Sequence, residues 1–373
     1  MLETYVEIDI DKIINNIKSM RSISNEALFC AVVKANGYGL GSTEIASKIE
    51  DFVDYFAVAR VNEAIVLRRV GIKKPILILG YVGIDDVKSC IENEIDIPIY
   101  DLDYAKKINS RLDSRVNAHI ALDTGHGRIG FREHEIDRIR EIKSLHNINV
   151  ISAFSHYSTA DEKDTEFTKK QTEIFDKIIS EIDNDFDFKF LHVSNSAGLI
   201  KHKITKDLVR VGISMYGIYP SDNMAFEKDI DLDQCFKFKS VISFVKDVDK
   251  GTPISYGRTF VADKQMKVAT IPLGYADGYH RAFSNKGEVM IGGKLCKVLG
   301  RVCMDQMMVD VTGIDAKIGD EVLIYPDIYN EASKIDTIPY ELMTSISIRV
   351  PRIYRKNGKI ISVDDYLGEI YEN

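Results

Sequence analysis

No apolar run in this sequence is long enough to cross a bilayer as a helix. Stretches such as KKPILILGYVG fall well short of the roughly 20 residues a spanning helix needs. Cysteine is scarce: Cys30, Cys90, Cys235, Cys296 and Cys303 are an odd set without a close CxxC pair, which argues against a disulfide framework. The opening MLETYVEIDIDK offers neither a cationic nor a long apolar segment for export, so the expected location is the reducing cytoplasm. Positive charge is not in excess. A net charge of -8 and a pI near 5.6 argue against a nucleic-acid surface and leave small molecules as the expected partners. There is no GxxxxGK[ST] nucleotide loop, no sharply spaced set of metal ligands, no convincing internal repeat and no low-complexity linker.

What is present is an ordinary globular composition, with 45% hydrophobic and 28% charged residues over 373 positions, enough to bury a large core and to suggest two domains. Eight short β-branched runs lie between residues 27 and 211: ALFCAVVK, DYFAVA, PILIL, IDIPIY, VNAHIAL, INVISAFSH, FKFLHVS and DLVRVG. The stretches between them, such as DEKDTEFTKKQTEIFDKIISEI, repeat apolar residues at helical spacing. This βα series predicts an α/β fold in which an N-terminal (β/α)8 TIM-type barrel carries its reactive groups at the carboxyl ends of the strands. Beyond about residue 230 the runs FKSVISFVKDV, MKVATIPLG, EVMIGGKLCKVLG, QMMVDVT and DEVLIYP predict a mainly β C-terminal domain. The expected boundaries are 1–10 for an N-terminal strand, 11–232 for the barrel and 233–373 for the β domain. TYVEID could pair with the late strands or cap the barrel. TIPYELMTSISI reads as helical and YRKNGK as a charged turn.

Polar residues fall just beyond the barrel runs. Lys34 follows the first, Arg128 the fifth, His156 the sixth, Asn195 and Ser196 the seventh, and Arg210, Gly212 and Ile213 lie at the eighth. A desolvated lysine loses its proton more easily and can form an imine with an aldehyde cofactor such as pyridoxal phosphate. SNSAG and VRVGIS each offer a hydroxyl or backbone N–H groups to a phosphate, and Tyr38 could add its phenol. Arg210 could face a pyridine nitrogen and keep it unprotonated, or serve as a rim ion pair. His156 could pack on the ring or be a satisfied core histidine, while His119 and His192 belong to strand interiors. Arg128 suits a carboxylate. Tyr275, in TIPLGYADGYHR, has room to approach a ligand, and moving a proton from one face of an amino acid to the other calls for two groups such as Lys34 and Tyr275. GRVCMDQMMVD adds the Met304 backbone and the Asp305 carboxylate, with Met307 and Met308 as core filling. Each string read alone is also an ordinary turn, cap or packing residue.

VVKANGYGLG, SHYSTADE, SNSA, VRVGISMYG, PLGYADGY and GRVCMDQ, in this order, make the chain closely resemble the bacterial alanine racemases, from TYVEID to RVPRIY. The resemblance implies a pyridoxal-phosphate barrel plus a β domain that includes the N-terminal strand. It also implies a head-to-tail homodimer in which each active site joins Lys34 of one chain to Tyr275 of the other. By it, L-alanine and D-alanine are interconverted by two bases through an external aldimine, supplying D-alanine for peptidoglycan. Lys34 would carry the cofactor; Tyr38, Ser196, Gly212 and Ile213 match phosphate-site positions, Arg210 the pyridine-nitrogen partner and His156 a residue beside the ring. Arg128 and Met304 match positions around the substrate carboxylate, and Cys303 and Asp305 the partner-chain rim. The chain departs from the family at Ala121, where many members have a carboxylated lysine that positions the arginine, and at Ile348, where some have a phosphate-binding tyrosine. Gly37 and Leu40 replace Ala and His. Broader racemisation including serine, a decarboxylase and a non-catalytic cofactor carrier are the competing readings.

Overall fold

In the computed structural model, which describes residues 3–368, the chain divides into two compact units. One holds residues 12–37 and 42–234; the other holds the residues up to Asp11, the short stretch Tyr38–Gly41 and the chain from Cys235 onward. Strand β1 (Tyr5–Asp9) opens the chain within the second unit.

The first unit is built on β2 (Leu28–Val32), β3 (Tyr55–Val58), β4 (Ile76–Ile78), β5 (Ile95–Ile99), β6 (Val116–Ala121), β7 (Ile148–Phe154), β8 (Phe190–His192) and β9 (Leu208–Val211). Each expected run contributes one strand. They pair in parallel in the order β8-β7-β6-β5-β4-β3-β2-β9, and the two ends meet where Asp207 N–H donates to Leu191 O at 3.1 Å and Arg210 N–H to Ser194 O at 3.0 Å. The sheet is therefore a nearly closed eight-stranded barrel, buried on both faces as all-parallel sheets must be. That is why the strands read as continuous apolar runs: every residue of β3, β4, β5 and β9 is buried. The helix Glu166–Ile182 turns Phe175, Ile178, Ile179 and Ile182 inward at helical spacing and leaves its lysines and glutamates outside.

The second unit is mainly β. Its strands are β10 (Phe236–Val241), β11 (Phe244–Val248), β12 (Pro253–Ile254), β13 (Phe260–Val261), β14 (Met266–Ile271), β15 (Glu288–Ile291), β16 (Lys294–Lys297), β17 (Met307–Asp310), β18 (Glu321–Ile324), β19 (Arg352–Lys356) and β20 (Lys359–Asp364). They form a seven-stranded sheet, β16-β15-β18-β10-β1-β19-β20, a three-stranded sheet, β11-β14-β17, and the β12-β13 ribbon. β1 sits inside the large sheet, antiparallel to β10 and parallel to β19, with Val6 and Ile8 fully buried. FKSVISFVKDV, a single run in the sequence, is two strands in different sheets. The break falls where Ile242 N–H bonds Asp320 O and Ser243 N–H bonds Thr270 O, so consecutive residues answer to different partners. Gly292-Gly293 and Asn357-Gly358 all have positive φ, the geometry of two-residue hairpin turns, so YRKNGK is the tip of a hairpin whose flanking strands its charge had concealed. TIPYELMTSISI supplies only the short helix Pro339–Thr344. No helix among the described residues is long and apolar enough to cross a membrane.

Candidate active site

Lys34 leaves the buried end of β2 and enters a left-handed turn. Ala35 and Asn36 both have φ 53° and ψ 50°, Gly37 φ 62° and ψ 42°, and Tyr38 φ 56°. Outside glycine and asparagine this conformation costs roughly 1–2 kcal/mol per residue, so something must hold it. Glu63 does part of this: one carboxylate oxygen accepts from Ala35 N–H at 2.7 Å, and the other from Ala59 N–H at 2.8 Å and Arg60 N–H at 3.1 Å. Asn36 closes the turn by accepting from Ser42 N–H at 3.0 Å. The result projects the Lys34 amine into a cavity of about 360 Å³ in the first unit, whose wall includes Arg128, His126, His156 and Arg210. Burial lowers the Lys34 pKa, Arg128 and Arg210 lower it further, and Glu63 opposes them. The amine therefore releases its proton more readily than a surface lysine.

Arg128 stands on a loop pinned at its base, where Phe131 N–H donates to Ala121 O at 2.9 Å and Asp123 N–H to Phe131 O at 2.8 Å. Asp123 also accepts from Gly125 and Gly127 N–H at 3.1 and 2.9 Å. Gly130 (φ 126°) permits this crossing, because a Cβ there would lie 2.7 Å from Asp123 N and 2.8 Å from Ala121 O. Residue 121 thus anchors the loop through its carbonyl and reaches the arginine with nothing. Among the described residues the Arg128 guanidinium has no hydrogen-bond or ion-pair partner, so its fork of donors is free to receive a planar anion.

Arg210 is buried. Its Nη1 donates to His192 Nδ1 at 2.6 Å, and its Nη2 to Ser155 O at 2.6 Å and Val193 O at 2.9 Å, with His156 Nδ1 at 3.2 Å. Burial brings its pKa down to about 10, which leaves it charged at neutral pH. Among the described residues Nε and the second Nη1 hydrogen have no hydrogen-bond partner. A donor left over on a cavity wall fits an unprotonated pyridine nitrogen. Burial, then Arg210 and Arg128, hold His156 well below the usual histidine range, so its ring is neutral. Gly212 N–H donates to Ser196 Oγ at 3.1 Å, bringing together the two strings that suit a phosphate, and Ile213 begins the short turn that follows. Asn195 caps the helix Ser196–His202 by accepting from Gly198 N–H at 2.9 Å. Lowered-pKa amine, spare cationic donors and hydroxyl-plus-amide pair together fit pyridoxal phosphate.

Tyr38 belongs to the second unit, buried, with its ring centroid 6.1 Å from that of Tyr340. Tyr275, Cys303, Met304 and Asp305 also belong to that unit and are mutually close. Tyr275 N–H donates to Cys303 O and Ala276 N–H to Met304 O, both at 3.0 Å. Gly274 lets these segments cross, since a Cβ there would lie 2.3 Å from Met304 O. Arg349 braces the pair by bonding Asp277 and Asp305 at 2.7 Å each. Tyr275 and Met304 remain 41% and 53% exposed, so the phenol is presented outward.

Sequence reasoning missed Glu63, Arg349 and His126. The Glu63 bond to Ala35 and the Arg349 bonds to Asp277 and Asp305 reach partners distant in sequence, which no local pattern announces; His126, between the two glycines of the DTGHG string, was the legible one. Glu63→Gln keeps the shape but replaces an accepting oxygen with a donor. Its expected cost is ~1–3 kcal/mol for the amides left unmet, read as a lower urea midpoint together with weaker retention of pyridoxal phosphate. An unchanged midpoint would remove Glu63 from the support of the Lys34 turn.

Residues 8–220 match the family described as alanine racemase, N-terminal domain, and residues 235–354 the alanine racemase, C-terminal domain. An alanine racemase of Clostridium perfringens is 43% identical, with 97% of this chain and 98% of that protein covered. The solved alanine racemase of Clostridium difficile 630 superposes with a TM-score of 0.93 at 36% identity, covering 98% of this chain and 99% of that one. The alanine racemase of Bacillus anthracis, solved with bound L-Ala-P, gives a TM-score of 0.94 at 32% identity and 99% coverage of both.

Proposed function

The chain belongs to the alanine racemase family and is an amino-acid racemase, and we propose that it interconverts L-alanine and D-alanine with pyridoxal phosphate held on Lys34. The observation that carries this reading is the convergence of a depressed-pKa lysine, an unpartnered arginine and a buried arginine with spare donors on one cavity. When bound, the cofactor supplies a conjugated acceptor for the electron pair left at Cα.

The protein's residues do the rest. Arg128 pairs with the substrate carboxylate and fixes the direction of the Cα–H bond. Lys34, its amine freed when the substrate exchanges with it, takes or returns the proton on one face; the phenol of the partner's Tyr275 returns or takes it on the other. Arg210, as a charged donor, would leave the pyridine nitrogen unprotonated and so moderate the acceptor, favouring reprotonation at Cα over side chemistry. Ser196, Gly212 and Ile213 would receive the phosphate, with Tyr38 as a further donor, and neutral His156 would stand beside the ring. The Met304 backbone closes on the carboxylate, and Cys303 and Asp305 form the rim. This assignment requires a homodimer with shared sites. D-alanine supply for peptidoglycan is the cellular purpose it implies, and the five free cysteines suit a cytoplasmic protein.

The test is chiral chromatography of reactions started from each enantiomer of alanine and of serine, with the reconstituted protein. Alanine from either side is expected to converge on an equal mixture, with serine converted more slowly. A folded, cofactor-loaded protein that racemises neither would overturn the reading. Carbon dioxide release would then indicate decarboxylation, and retained cofactor without Cα exchange a carrier.

A further inference from the structure

Arg210 is a cation 3% exposed, and among the described residues none of its hydrogen bonds is to a carboxylate. Its hydrogen bonds go to two backbone carbonyls and two imidazoles. A buried charge without compensation is among the costlier things a fold can contain, so the partners beyond those imidazoles matter. His192 Nε2 lies 3.0 Å from His119 Nδ1, and His119 Nε2 lies 3.4 Å from Asp96 Oδ2, which also accepts from the Tyr55 hydroxyl. Tyr55, Asp96, His119 and His192 are all buried. The chain crosses the barrel interior from the cavity at the carboxyl ends of the strands to a second cavity of about 460 Å³, where Tyr55 and Asp96 lie on the wall.

The direction of every hydrogen bond in this chain is forced. Arginine only donates, so His192 Nδ1 accepts and carries no hydrogen. His192 must then donate from Nε2, so His119 Nδ1 accepts in turn and His119 donates from Nε2 to the Asp96 carboxylate. The alternative of a doubly protonated His119 would make it a donor to His192 as well, leaving that ring with two accepting nitrogens and no hydrogen, an imidazolate. Both rings are therefore neutral Nε2–H tautomers, and Asp96 is the ionised end. The surroundings agree. Burial, then Arg210, hold His192 well below the usual histidine range; burial alone would raise Asp96, but its bonds from His119 and Tyr55 hold it below the usual carboxylate value. Phe154 stacks on His192 at 5.1 Å and Phe190 meets His119 edge-on at 5.5 Å, so both imidazoles are packed against aromatic rings.

We propose that Tyr55, Asp96, His119 and His192 are positioning residues for Arg210, a relay that sets the counter-charge of Asp96 behind the guanidinium and fixes which of its hydrogens face the cavity. Its catalytic consequence rests on Arg210 being the partner of the pyridine nitrogen, whereas its tautomers do not.

Two measurements separate the two claims. In the full-length protein with 15N-labelled histidine and no added cofactor, His119 and His192 are expected as neutral Nε2–H rings at neutral pH; an Nδ1–H or doubly protonated signal from either would overturn the relay. In the loaded enzyme, Asp96→Asn keeps the shape but deletes the charge, and Tyr55→Phe deletes only the hydroxyl. Each lost contact should lower kcat, by about tenfold for Asp96→Asn if it is worth the upper end of a single hydrogen bond, with KM little changed and the visible absorbance of the bound cofactor shifted. Tyr55→Phe should move both readouts the same way by less, and it carries the test should Asp96→Asn not fold. Folded variants with wild-type kcat and absorbance would overturn the relay. A wild-type protein that fails to racemise alanine while showing the expected tautomers would retain the relay and sink the racemase assignment instead.

Discussion

Lys34→Ala, reconstituted with pyridoxal phosphate, is expected to lose racemisation of both alanine enantiomers by at least ~10⁴-fold, because the substitution removes a covalent anchor and a proton carrier at once. Among the described residues no other amine lines the cavity to anchor the cofactor. Arg128 and Arg210 keep their protons at neutral pH and cannot act as amine nucleophiles, and neutral His156 already accepts from Arg210 through Nδ1. The variant should also release the cofactor on dialysis, and borohydride treatment, which should fix the cofactor to a Lys34 peptide in the wild type, should fix it nowhere. Lys34→Arg tests charge alone: it restores the positive charge but neither the nucleophile nor a base able to take the Cα proton, so it should be as inactive as the alanine variant. Racemisation surviving in either one would remove Lys34 from the mechanism, however well placed its amine.

The barrel was legible because burial on both faces of a parallel sheet writes each strand as an unbroken β-branched run, and because helices of opposite patterning separate the runs. Residues at the ends of those runs, Lys34, Arg128, His156 and Arg210, fall on one cavity for the same reason: a closed barrel brings the carboxyl ends of its strands together. What escaped notice depends on partners remote in sequence. Ala35 and Tyr38 are poor candidates for a left-handed turn, and the Glu63 carboxylate that bonds the Ala35 amide comes from the following βα unit. His119 and His192 were rightly placed inside their strands, but their bond joins β6 to β8, a neighbourhood that alternation alone does not specify. FKSVISFVKDV carries one hydrophobic pattern across two sheets, since a strand that changes partners keeps its own propensity. Asn195, beside Ser196 in the SNSAG string, puts its side chain on a helix end; asparagine after a strand has the same local signature whether it caps or binds a ligand.

A mixture of two dead proteins is expected to be alive. Tyr275→Phe keeps the ring and deletes the hydroxyl proposed to serve the second face, so alone it should lose about 10²- to 10⁴-fold in kcat; Lys34→Ala alone should be inactive. If each site joins Lys34 of one subunit to the partner's Tyr275, a heterodimer of these variants contains one site with both groups intact and one with neither. Random exchange places half of the dimers in that state, so dissociation and reassembly of an equal mixture should recover about a quarter of wild-type activity. The features of the second unit favour this outcome. Tyr275, Met304 and Tyr256 are 41%, 53% and 69% exposed, an aromatic and thioether cluster of the composition found at the centre of protein interfaces. Yet the Tyr275 segment is rigidly set, by Arg349 on Asp277 and Asp305 and by the crossing at Gly274. An exposed phenol on a backbone held that firmly is what a group shared with a partner's site would require. Two affinity tags, one on each variant, isolate the heterodimer and remove the question of whether exchange occurred. A purified heterodimer at background activity would mean that each chain builds its site alone, and the shared-site dimer would fall while the roles of Lys34 and Tyr275 within one chain stood.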